Sequence, residues 1–96
     1  MWVLVTYDIS TETAAGRRRL RRVAQACKDY GQRVQKSVFE CNVSETTYER
    51  MRTRLVKIIN KNEDSIRFYK LAGDREKRVE EFGVGDVIDF SGPLVV

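Results

Sequence analysis

Near the N-terminus, Val3-Leu4-Val5-Thr6-Tyr7 is β-branched, aliphatic or aromatic throughout, and nearly all apolar. A short run of this kind reads as a strand buried on both faces. Such a strand belongs at the centre of a sheet, and the rest of a 96-residue chain must be arranged to cover it. A chain of this length builds one small core and no second domain.

Turn and cap residues, Asp8-Ile9-Ser10-Thr11, end the strand. The spacing of Leu20, Val23, Ala24 and Cys27 predicts a helix from about Thr13 to Tyr30, with Gly31 placed as its C′ residue. Residues 33–43 are extended and β-rich. With no Gly or Pro among them to mark a turn, one long bent strand and two short ones fit equally. Ser44 or Thr46 caps a second helix, whose inward stripe is Tyr48, Met51, Leu55, Ile58 and Ile59. Ser65 to Leu71 is a further strand. Ala72 to Gly83 reads as a charged loop with a helical turn. Val87–Phe90 and Gly92–Val96 form a strand-like tail broken by the only proline, Pro93. The order β-α-β(β)-α-β predicts a ferredoxin-like α+β sandwich as a single domain over residues 1–96, with two helices on one face of the sheet. The apolar first strand and the apolar tail predict that the other face is covered, by a homodimer packed sheet on sheet, with residues 84–96 pairing with a partner.

The composition restricts the chemistry more than the fold. There is no histidine, which removes Ser-His-Asp and Cys-His catalysis, imidazole bases and His-containing zinc sites. Cys27 and Cys41 form no CxxC and are too few for a structural zinc site; both read as reduced and buried, in a cytoplasmic protein. The first apolar run reaches Asp8 too soon for a membrane span, so no membrane partner is expected. The 18 Lys and Arg outnumber the 14 Asp and Glu, giving +4, a balance that leans toward nucleic acid. Hydrolysis by such a chain rests on carboxylates, a hard metal ion, hydroxyls or lysine.

Three groups of residues could carry function. Asp8 follows the end of the first strand and is either a turn or cap residue or a ligand for Mg²⁺, which takes hard oxygen donors. One aspartate per chain is a weak site, whereas two copies across a two-fold axis suffice. Arg17, Arg18, Arg19, Arg21 and Arg22 crowd the first helix as a solvated face or as contacts to phosphate backbone. Arg50, Arg52 and Arg54 spread around the second helix and read as solvated. Tyr7, Phe39, Phe68 and Tyr69 lie on strands and read as core, with base stacking as the alternative. Gly83-Val84-Gly85 lacks the third glycine of a dinucleotide fingerprint.

Val5-Thr6-Tyr7-Asp8-Ile9, then Arg22-Val23 and Tyr30-Gly31, then Arg33-Val34-Gln35-Lys36-Ser37-Val38-Phe39-Glu40, resembles the small CRISPR-associated protein of the adaptation step, the smaller partner of the spacer-acquisition integrase. The resemblance covers nearly the whole chain. It implies a ferredoxin-like homodimer in which Asp8 of both subunits shares Mg²⁺. It implies functional positions at Tyr7, Asp8, Arg33 and Phe39. The first-helix arginines agree with it in kind, with none of Arg17, Arg18 or Arg19 matched to a family position; Arg17, Arg18, Arg19 and Arg22 stand as the candidate nucleic-acid contacts. It implies an endonuclease acting on RNA or DNA in antiviral defence, or a non-catalytic scaffold that bridges integrase dimers and holds the DNA to be inserted. It also implies an integrase subunit as partner, and Val87 to Val96 resembles the family's extra C-terminal strand, which adds to the partner subunit's sheet or docks the integrase.

Overall fold

The computed structural model describes residues 1–71 and 79–84. Strand β1 (Trp2–Asp8) is followed by helix α1 (Ala14–Lys28), β2 (Gln32–Gln35), β3 (Val38–Asn42), α2 (Glu45–Ile58), β4 (Ser65–Lys70) and β5 (Val79–Gly83). The sheet order is β2-β3-β1-β4-β5, antiparallel at every pairing, which is the ferredoxin-like arrangement with one strand added beside β4.

β1 is central, as its composition requires, but one chain buries only one of its faces. Val3, Val5 and Tyr7 point into the core with Phe39, Cys41, Ile66 and Phe68, under Val23, Ala26 and Cys27 of α1 and Tyr48, Met51 and Leu55 of α2. Leu4 and Thr6 alternate with them and are half-buried, while Trp2 is 51% exposed. Among the described residues, the two helices cover one side of the five-stranded sheet and nothing covers the other.

The helices begin where side-chain oxygens replace missing backbone partners. Thr13 caps α1 by accepting from the Gly16 amide, and Ser44 caps α2 by accepting from Thr47. Ser44, not Thr46, is therefore the cap of α2. Gly31 does not end α1 in a left-handed conformation, as its φ is not positive. Its backbone lies against β3 instead, where a Cβ would stand 2.1 Å from the Glu40 carbonyl oxygen and 2.6 Å from Cys41 Sγ.

Residues 33–43 resolve into a hairpin with its turn at Lys36 and Ser37, and β2 carries a bulge between Arg33 and Gln35 that leaves Val34 exposed. The expected loop over 72–83 is corrected at its end, where residues 79–83 pair with β4 as an edge strand. Tyr48 donates to Glu80 at 2.6 Å, and Arg52 and Lys70 flank the same carboxylate. These contacts tie β5 to α2. The expected tail strands at 87–96, and residues 85–86, lie outside the described residues.

Candidate metal and nucleic-acid site

Asp8 is the last residue of β1, paired in register with Ser65 of β4. Strand alternation sends it to the open face with Leu4 and Thr6, and its carboxylate is exposed. Tyr7 goes the other way. Its ring stacks on Phe39 at 6.2 Å between centroids, its hydroxyl donates to the Lys36 carbonyl at 3.3 Å, and its amide donates to Ser37. The Arg33 guanidinium lies 5.1 Å from the Phe39 ring centroid. Burial raises the Tyr7 phenol above its ordinary range, against the opposing pull of Arg33. So the four residues expected to act together divide between two sides of the sheet. Tyr7, Arg33 and Phe39 form a stack that clamps the β2–β3 turn to the end of β1, with Arg33 exposed at its edge, and Asp8 is displayed on the other face.

The strand end that carries Asp8 is held from below by Asp64, which is fully buried. Asp64 accepts from the amides of Ser10 and Asn60 at 2.9 and 2.8 Å and from Arg19 Nε at 2.7 Å. Its own carbonyl accepts from the Val84 amide after β5. Burial alone would raise this carboxyl, but Arg19 and the two amides outweigh it and hold Asp64 below the usual carboxylate range. The β1–α1 turn, α1 and the α2–β4 connection therefore meet on the Asp64 side chain, and the residue after β5 on its backbone carbonyl, beside the base of Asp8. Gly16 permits the meeting, because a Cβ there would stand 2.0 Å from the Ser10 carbonyl oxygen.

The arginines of α1 do not act as one group. Arg19 is turned inward, its side chain 13% exposed and bound by both Asp64 and Glu63, so its guanidinium is already engaged within the fold. Arg17 donates to the Thr11 carbonyl yet stays exposed. Arg18 and Arg22 are exposed, one turn apart on the same side of α1. Arg22 faces Arg50, Arg54 and Lys57 of α2 across a cleft of about 550 Å³. The sequence had separated the α2 cations because it was read at Arg50, Arg52 and Arg54; the spacing that matters is 50, 54 and 57.

Among the described residues no three His, Cys, Asp or Glu side chains gather as a metal cage. Asp8 is a single hard-oxygen donor, open to solvent.

Residues 1–79 match the family described as "CRISPR associated protein Cas2". The chain belongs to the Cas2 family. It is 54% identical over its whole length, and the whole length of the relative, to "CRISPR-associated endoribonuclease Cas2 1" of Moorella thermoacetica. It is 44% identical, over 99% of each chain, to "CRISPR-associated endonuclease Cas2" of Halalkalibacterium halodurans. The fold superposes on a crystal structure of Streptococcus pyogenes Cas2 with a TM-score of 0.70 and 57% identity, covering 83% of this chain and 96% of that one. Among the described residues of this Cas2 chain, no helix is long and apolar enough to cross a membrane. The Cas2 relationship agrees with the resemblance read from the Tyr-Asp-Ile strand end and the Arg33–Glu40 run. What that resemblance did not contain is the Asp64 hub, whose partners come from distant parts of the chain.

Proposed function

We propose that this chain is a CRISPR-associated endonuclease that hydrolyses phosphodiester bonds with Mg²⁺ held between the Asp8 carboxylates of two subunits. The observation that carries the reading is the placement of Asp8, an exposed carboxylate at the end of the central strand, on the sheet face that no helix covers among the described residues. A homodimer formed through that face brings two such carboxylates to one interface. The relatives' names, endoribonuclease and endonuclease, favour cutting over a purely scaffolding role.

When bound, Mg²⁺ supplies Lewis-acid polarisation of the scissile phosphate and an activated water. The chain's own residues do the remaining work. Asp8 presents oxygen ligands. Tyr7, Phe39 and Arg33 hold the strand end from beneath, and the Asp64–Arg19 pair fixes the turn that follows it. Arg17, Arg18 and Arg22 give the nucleic acid cationic contacts that fix its position without reading its bases. The absence of histidine leaves proton transfer among the chain's own groups to carboxylates, hydroxyls or lysine, with solvent. The setting is CRISPR adaptation, with an integrase subunit as partner, inside the cytoplasm.

Asp8→Asn tests this directly. The variant is expected to bind RNA or DNA like the parent and to lose Mg²⁺-dependent cleavage. Cleavage at the parental rate overturns the reading.

A further inference from the structure

The cleft between the helices lies on the side of the molecule opposite Asp8. Arg50, Arg54 and Lys57 stand at i, i+4 and i+7 and so form one stripe on α2. Arg22 and Gln25 at i and i+3 face them from α1. Arg54 is paired with Asp29 at 2.8 Å. Among the described residues, Arg22, Arg50 and Lys57 have no acidic partner, and no acid lines the cleft. Cations held this close repel one another, and an anion laid along the cleft removes that cost.

The geometry points to this cleft as a second nucleic-acid track, one that holds a phosphate backbone on the helical side while the open sheet side carries Asp8. It rests on the nucleic-acid reading above and extends it to α2. Arg50 to Lys57 spans about 10 Å of helix, the length of roughly three phosphates along one strand of a duplex. The walls favour a backbone over a protein segment. The lining side chains are three arginines, a lysine, a glutamine and a threonine, whose apolar surface is largely stem carbon, and Ile58, its one purely aliphatic side chain, is 8% exposed and leaves little to seat a peptide's apolar anchor. A strand lying here cannot reach Asp8 of the same chain through the body of the sheet. The track therefore holds nucleic acid on the face opposite the cutting site, not in it.

The test is salt dependence of binding, measured by anisotropy on a labelled DNA duplex and on labelled single-stranded RNA. Arg50→Gln with Lys57→Gln is expected to reduce the log–log salt slope on the duplex by about 1.8, or on single strands by about 1.4, at an unchanged thermal midpoint. Whichever probe shows the drop is the nucleic acid the track holds. Lys57→Gln alone is expected to reduce the duplex slope by about 0.9, and it reports on the track should the double variant fold poorly. Parental slopes on both probes overturn the proposal. So does a cleft whose substitution leaves both slopes intact but abolishes competition by polyglutamate, since that identifies an acidic protein segment. The result is independent of the Asp8 reading, because Asp8→Asn is scored by cleavage and these variants by slope.

Discussion

The Asp64 carboxylate and the Arg19 guanidinium meet at 2.7 Å, with the acid fully buried and the base nearly so. Neither residue is near the other in the chain, and their meeting places four segments around the base of the strand that ends in Asp8. Asp64→Ala leaves the Ser10 and Asn60 amides and the Arg19 charge without their acceptor. The expected loss is on the order of 3 kcal/mol. For a domain of this size that lowers the thermal midpoint by about 10–20 °C, measurable by circular dichroism.

The same pair gives the fold an acid limit. Asp64 is held below its ordinary value of 3.8, so its contribution is fully present above that pH and is lost as pH falls through the lower, folded value. Thermal midpoints of the parent are expected to fall steeply only below about pH 4. In Asp64→Asn, which starts lower, this part of the acid decline is expected to vanish. A parallel decline in both proteins would assign the acid limit elsewhere.

Arg19 and its neighbours should separate by readout. Arg18→Ala with Arg22→Ala removes two exposed cations and is expected to reduce the duplex salt slope by about 1.8 with little change in melting. Arg19→Ala is expected to lower the melting temperature and to leave that slope nearly unchanged, since Asp64 and Glu63 already occupy its guanidinium.

Gly16→Ala should reverse the usual sign of a glycine replacement in a helix. Helix propensity alone favours alanine by about 1 kcal/mol. Here the new methyl would stand 2.0 Å from the Ser10 carbonyl oxygen, a backbone atom that cannot rotate away. Denaturant titration is expected to show a net loss of roughly 1–3 kcal/mol.

The thiols should be silent in the folded protein. Cys27 and Cys41 are both buried and unpaired. Burial, with the neighbouring Cys41 adding to it, pushes Cys27 up to about 12, and burial pushes Cys41 up to about 11. At mildly alkaline pH a disulfide reagent is expected to label neither until guanidinium unfolds the chain, and then both.

The sheet centre, the two helices and their inward stripes were legible because hydrophobic spacing is a local property. Val23, Cys27, Met51 and Leu55 announce their burial within one or two turns of helix. The hairpin at Lys36 and Ser37 was ambiguous, since no Gly or Pro marks the turn and a lone serine among β-rich residues does not separate a turn from a bend. β5 was hidden among charges because an edge strand needs few apolar residues, and its Glu80 is held by Tyr48, Arg52 and Lys70 rather than by the core. Asp8 could be singled out by its place at a strand end. That Tyr7 and Asp8 would face opposite sides followed from strand geometry once β1 was bounded. Arg19 could not be told from Arg18 by sequence, because its partner lies 45 positions away.

The period-two alternation of β1 also bears on how such a protein changes over time. Val3, Val5 and Tyr7 answer to the helices, while Trp2, Leu4, Thr6 and Asp8 answer to the outside. Because the two sets interleave without sharing contacts, selection can redraft the outward residues, and with them what the sheet recognises, while the inward residues keep the architecture intact.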